Sequence, residues 1–211
     1  MDNQKVYFRR KLPHYQPAAG IFFITFRLAN SLPREIVIRL RKEREDELRQ
    51  AGQDKILSYK VQKKYFGKYD EYLDRVQHGP MWLRDKRIAK IMADTLHYWD
   101  GKRYELLSYC IMPNHVHVVL SVAQEQPVGQ VNNLSYVLSR ILHSIKRHTA
   151  REANILLGRT GAFWQHESYD HVVRDGKELE RVVAYVLNNP MTAGLTTDWQ
   201  QWKWSYLRYN L

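Results

Sequence analysis

His115-Val116-His117 sets two imidazoles two residues apart within an apolar run, and no other tripeptide in the chain points so directly to chemistry. In an extended strand, side chains at i and i+2 leave the same face, so both rings project side by side while Val116 and Val118 point away. Two imidazoles on one rigid strand can share a divalent ion. Tyr185 and Asn189 form a second set, one helical turn apart and therefore on one face. A phenol with its pKa near ~10 is a weak nucleophile until a metal or positive field favours phenolate or polarises its target. The Asn189 carbonyl oxygen can act as a third ligand. Each set also has a plain structural reading. Nine histidines make a chance His-Val-His unremarkable, Asn-Pro is a routine helix stop, and Tyr185 beside Val182 and Val186 fits a core aromatic.

Other residues compete for these roles. Tyr169 is a rival nucleophile and His166 a rival ligand; with Asp170 and His171 they read as strand-packing or DNA-contact residues, because nothing completes a metal geometry with them. Cys110 is unsuited as a nucleophile, since an apolar strand interior removes its thiolate. There is no Gly-rich phosphate loop, no Ser-His-Asp set and no catalytic carboxylate pair. Arg140, Lys146, Arg147, His148 and Arg151 make a basic run that would lie across from the histidine strand and contact backbone phosphates. Lys63, Lys64 and Lys68 interleave with Tyr59, Tyr65 and Tyr69, a pattern for stacking unpaired bases or an ordinary helix surface with a packed stripe.

The elements that must position these groups follow from periodicity. Ile21 to Leu28 is aromatic and β-branched, closed by Asn30, Ser31 and Pro33, and reads as a central strand. Residues 34–79 are densely charged, with helical spacing at Ile36, Leu40 and Leu48 and again at Ile56, Tyr65, Tyr69 and Leu73; they read as a helical insertion with mostly solvated faces. Arg87 to Trp99 is an amphipathic helix stopped by Asp100-Gly101. Tyr104 to Met112 and His115 to Val122 form a hairpin through a Pro113-Asn114 turn. A helix over 131–157 follows, including Leu134. Phe163 to Arg174 reads as a fourth strand, and 175–189 as a helix that Pro190 ends. The Trp-rich remainder is a tail with aromatic anchors. This order gives an α+β, ferredoxin-like (RRM-like) antiparallel sheet with helices on one face, and one domain over 1–211. No internal repeat, low-complexity tract or linker interrupts it.

Composition narrows the partners. Among 211 residues, 33 Lys and Arg against 22 Asp and Glu leave a formal charge of +11, a field that concentrates polyanions, with nucleic acid foremost. One cysteine excludes an internal disulfide or a multi-Cys metal site. Met1 to Pro17 lacks an apolar signal core, and no segment approaches the ~18 apolar residues of a membrane span, so a cytoplasmic protein without a membrane partner is expected.

The run Cys110-Ile-Met-Pro-Asn-His-Val-His-Val-Val-Leu120 resembles the HUH motif of single-tyrosine transposases and relaxase-like endonucleases. Phe163-Trp-Gln, Tyr169-Asp-His, Val173-Arg, Tyr185-Val-Leu-Asn-Asn-Pro190, Ala193-Gly-Leu and Trp202-Lys-Trp-Ser205 resemble REP-associated tyrosine transposases, in the same order, from about Ile21 to Ser205. The resemblance implies His115 and His117 as metal ligands, Asn189 as the third where related insertion-sequence enzymes carry glutamine, and Tyr185 as nucleophile. It also implies Mg2+ or Mn2+, a 5'-phosphotyrosine intermediate, and single-stranded DNA beside a hairpin as substrate. Relatives include monomers and helix-exchanging homodimers, so both states are open. Residues 34–79 exceed what the smallest relatives have. Two other functions compete: a non-catalytic hairpin DNA or RNA binder on a ferredoxin-like sheet, and a hydrolase whose histidines activate water.

Overall fold

The computed structural model describes residues 7–9, 13–15, 19–75, 79–123 and 137–208. The N-terminal ribbon pairs β1 (Tyr7–Arg9) with β2 (Pro13–Tyr15). The main sheet has five antiparallel strands in the order β6-β3-β5-β4-β7. These are β3 (Gly20–Arg27), β4 (Glu105–Ile111), β5 (His115–Val122), β6 (Tyr169–Val173) and β7 (Ser205–Leu207). The first four have the expected α+β ferredoxin-like arrangement. The fifth was not legible: the tail adds an edge strand against β4, and Arg208 pins its end through Asp100 at 2.6 Å.

Alternation along β3 and β5 divides the sheet into two faces. Phe22, Ile24 and Phe26 point to one side with Val116, Val118 and Leu120. Helices α3 (Lys86–Trp99) and α4 (Val137–Leu156) cover that side through Ile88, Met92 and Leu96 and through Ile141 and Ile145. Phe23, Val119, Cys110 and Met112 point to the other side, where Val186 of α5 (Gly176–Thr192) packs with Phe66 of α2 (Lys55–Asp74), so helices cover both faces of the sheet and not one as expected. Because β3 is buried on both faces, truncating Phe22 or Phe26 to alanine should cost about 3–5 kcal/mol.

Where a helical insertion was expected over 34–79, the structure has two helices, α1 (Arg34–Ala51) and α2. Asp54 caps α2 by accepting from the Ile56 and Leu57 N–H groups, which satisfies two donors the helix leaves open. Lys64–Glu47 and Lys68–Glu43 ion pairs clasp the two helices together. The reading of mostly solvated faces fails for α2, where Val61, Asp70 and Leu73 are buried. The chain returns to α3 through Gly79 (φ +80), where an added Cβ would lie 2.4 Å from the Asn30 carbonyl oxygen. Only glycine permits that crossing.

Three boundaries differ from expectation. The fourth strand is confined to Tyr169–Val173, and Trp164 makes only an isolated bridge to Leu28; Trp164 instead donates its indole N–H to Thr149 at 2.9 Å. Helix α4 is described from Val137, so Leu134 and the rest of 131–136 lie outside the described residues. Pro190 does not end α5, which continues to Thr192. Its missing N–H costs one hydrogen bond within the final turn, where Ala193 N–H to Asn189 and Leu195 N–H to Pro190 close the end. Among the described residues, no helix is long and apolar enough to cross a membrane.

Candidate active site

The hairpin register places the two histidines. Met112 N–H donates to His115 O across the Pro113-Asn114 turn at 2.9 Å, and β5 then pairs Arg27 with His115 and Thr25 with His117. Both imidazoles leave the face that α2 and α5 cover, and both are wholly buried. Their Nε2 atoms lie 3.0 Å apart.

Each ring is held from behind. The Asn114 amide donates to the Leu73 carbonyl at 3.0 Å, which leaves its oxygen, 2.7 Å from His115 Nδ1, to accept that N–H. The Nε2 of His115 is therefore a bare lone pair. Thr25 Oγ1 lies 2.7 Å from His117 Nδ1 and can serve it in the same way. Phe23 stacks on the His117 ring at 5.7 Å between centroids and fixes its plane.

Two helices close the site from opposite ends of the sequence. Tyr185 on α5 donates its hydroxyl to Asp70 on α2, and its ring sits 5.7 Å from that of His117. One turn on, Asn189 donates to Asp74 at 3.3 Å. Residue pairs 70/185 and 74/189 thus match turn for turn. Asp70 lies 3.4 Å from His117 Nε2 and Asp74 3.6 Å from His115 Nε2. Tyr185, His115, His117 and Asn189 are brought together as expected, while Asp70 and Asp74 were missed. A signal was present: both aspartates share a helical face with Phe66 and Leu73, and acidic residues set into an apolar stripe are out of place on a solvated face.

Burial dominates the electrostatics. It pushes His115 down to about 3, opposed by the Asn189 side chain, which favours the protonated ring, and drives His117 well below the imidazole range, with His115 adding to the effect. It lifts Asp74 to about 7, again against Asn189, and lifts Asp70 far above the carboxylate range, with Asp74 contributing. Desolvation disfavours every charged form here. A divalent cation would reverse that preference, since it binds neutral imidazole and ionised carboxylate.

The donor set fits such an ion. Ligand atoms of Asp70, His115 and His117 all lie within 4.8 Å of one another. Asp70 Oδ1, Asp74 Oδ1 and Asn189 Oδ1 are buried with no hydrogen-bond partner among the described residues. Buried acceptors in that state are rare and call for an explanation. Two imidazole nitrogens with several oxygens suit Mg2+ or Mn2+ better than a thiol-seeking metal.

The sequence pattern of the family described as "Transposase IS200 like" matches residues 81–189, just over half of the chain. The chain belongs to the IS200-like transposase family. That match takes in His115, His117, Tyr185 and Asn189 and leaves residues 34–79 outside. A Haemophilus influenzae protein that carries the name REP-associated tyrosine transposase is 21% identical over 103 residues, 48% of this chain. The chain therefore spans 58% of that relative's length. A solved structure of a REP-associated tyrosine transposase bound to a REP hairpin superposes with a TM-score of 0.51. It is 14% identical and covers 94% of this chain and 80% of its own, a likeness of fold.

Within this IS200-like fold the remaining candidates fall elsewhere. Helix α4 does not lie across from the histidines: Ile141 and Ile145 pack with Val116 and Val118, so its basic run is behind the sheet. Arg140, Arg147 and Arg151 are exposed there. Lys146 is committed to structure, donating to the Gln165 and His166 carbonyls and to Ser168 at 2.8–3.2 Å. Tyr169 stacks on Phe66 at 4.0 Å, and burial raises its phenol. His171 pairs with Glu178 at 3.2 Å. Cys110 is buried and pushed up to about 12, an inert thiol as expected.

Proposed function

We propose that this IS200-like transposase cuts and rejoins single-stranded DNA beside a hairpin, with Tyr185 as nucleophile. The observation that carries the reading is the convergence of the solvent-accessible Tyr185 side chain with the buried, paired Nε2 atoms of His115 and His117. His115, His117 and Asn189 would hold a divalent cation, Mg2+ or Mn2+. When bound, that ion neutralises charge developing on the scissile phosphate. Thr25 and Asn114 keep both imidazoles in the ligating tautomer.

Tyr185 Oη attacks phosphorus as its proton leaves, the P–O3' bond breaks, and the electron pair and a proton end on the departing 3'-hydroxyl. The product is a 5'-phosphotyrosine, which conserves the phosphodiester's energy, so a second 3'-hydroxyl can reverse the step without ATP. The choice of a hairpin-flanked substrate is supported by the likeness to a hairpin-bound REP-associated structure. Arg140, Arg147 and Arg151 are assigned to backbone phosphates of the folded DNA. Lys146, named with them from sequence, contributes by holding the 165–168 segment on which β6 depends.

The test is incubation of labelled hairpin-flanked single strands with protein and Mn2+. A covalent adduct that vanishes in Tyr185→Phe supports the reading. Cleavage that survives Tyr185→Phe without adduct assigns the chemistry to water, and binding without cleavage at any site leaves a hairpin-binding protein.

A further inference from the structure

The HUH-type reading accounts for two imidazoles, one amide and one phenol, but not for the carboxylates of α2. Asp70 is 1% exposed. Its Oδ2 accepts from Tyr185 and lies 3.4 Å from His117 Nε2, while its Oδ1 has no hydrogen-bond partner among the described residues. A carboxylate placed this deep, with no cationic side chain against it among the described residues, is expensive. Nothing about α2 packing requires it, since Phe66 and Leu73 already supply the apolar contacts. Its ligand atom and those of the two histidines fall within the reach of a single ion. Asp74, one turn on, holds the Asn189 amide and so orients that residue's oxygen.

We infer that α2 is a working part of the cation site. Asp70 is a direct ligand that holds the Tyr185 hydroxyl when the site is empty and exchanges it for the cation when the site fills. Cation binding and release of the nucleophile are then one event, and Asp74 is the positioning residue for Asn189. Residues 34–79 lie outside the family pattern, so the gate sits on a segment that the pattern does not include. The inference rests on the proposed cation-and-tyrosine reading, and the experiment separates the two.

Mn2+ affinity is measured by calorimetry on the full chain and on Asp70→Asn, with Asp70→Ala as a second variant and His117→Ala as reference; circular dichroism checks folding. Weakening by roughly tenfold or more in both Asp70 variants is expected. In parallel, 3-fluorotyrosine placed at position 185 should change its 19F resonance on Mg2+ addition in the otherwise unaltered chain and not in Asp70→Asn. Unchanged Mn2+ affinity in the Asp70 variants, or a fluorotyrosine signal indifferent to Mg2+, overturns the inference. Unchanged affinity in His117→Ala overturns the cation site itself.

Discussion

Tyr185 and Asp70, 115 positions apart in the chain, are joined by a hydrogen bond from phenol to carboxylate. Asn189 and Asp74 repeat the contact one turn further on, across the same interval. Helices α2 and α5 therefore meet in parallel, each presenting an i, i+4 pair to the imidazoles of β5. The site is assembled only when the charged helical hairpin, the central strands and the last helix are all in place.

The shifted groups set a pH window for cation binding. Asp74 is raised from 3.8 to about 7, so below about 7 the folded site holds a proton that a cation must displace. His115, lowered from 6.5 to about 3, stays neutral throughout and offers no competing proton. Mn2+ affinity should thus rise as pH passes through about 7, by about tenfold per pH unit for each displaced proton, and Asp70, raised well above the carboxylate range, extends that rise to higher pH. Calorimetry in two buffers of different ionisation enthalpy checks the proton release. An affinity flat between pH 5 and 8 speaks against the assignment.

Stability without cation should move the other way. A carboxylate whose folded pKa is raised destabilises the fold as pH rises from its ordinary value through the raised one. At pH 8, with chelator present, Asp74→Asn should therefore stabilise by on the order of 2 kcal/mol, and at pH 4 by little. The imidazoles act oppositely, destabilising as pH falls from 6.5 toward about 3. Thermal melts across pH resolve the two. Loss of stability in Asp74→Asn at pH 8 would mean the carboxylate is a structural anchor.

The sequence showed the histidine strand and the last helix far better than the α2 face that closes the candidate site. Strands β3 and β5 declared themselves because residues buried on both faces leave unbroken apolar runs, and His115-Val116-His117 stood out within one of them. Tyr185 and Asn189 were found by helical spacing. Asp70 and Asp74 were not, because the charged composition of Lys68-Tyr-Asp-Glu-Tyr-Leu-Asp-Arg75 outweighs the apolar positions Phe66 and Leu73 on the same helical face. Only the contact with α5, fixed by tertiary packing, makes that face an interior. Strand β7 is three residues long, too short for a period to register, and Pro190 misled because a missing N–H is tolerated in a last turn.

Residues behind the imidazoles should matter nearly as much as the imidazoles. Thr25→Val keeps the shape of β3 but removes the oxygen facing His117 Nδ1. Asn114→Ala removes the acceptor for His115 Nδ1. Each should weaken Mn2+ binding by about 10- to 100-fold, read by calorimetry, with Tyr185 untouched. Binding equal to that of the unaltered chain would show that ring orientation is set by packing alone.

The basic residues of α4 should separate into two groups. Lys146→Met removes donors to Gln165, His166 and Ser168 and should lower stability by about 1–3 kcal/mol in a thermal melt. Arg147→Ala and Arg151→Ala should leave the melt unchanged and weaken hairpin DNA binding. Each should also reduce the slope of log affinity against log salt by about 0.7–0.9. Identical salt slopes in the arginine variants would remove α4 from the DNA path.

The most direct measurement is to find which tyrosine carries DNA. Trypsin cuts after Arg181 and Lys203, giving a peptide with Tyr185 as its sole tyrosine, and after Arg159 and Arg174, giving one whose sole tyrosine is Tyr169. After reaction with a hairpin-flanked single strand and Mn2+, followed by nuclease and trypsin, mass spectrometry should place the residual nucleotide on peptide 182–203. Nucleotide on peptide 160–174, or cleaved DNA with neither peptide modified, would contradict the assignment of Tyr185 as the nucleophile.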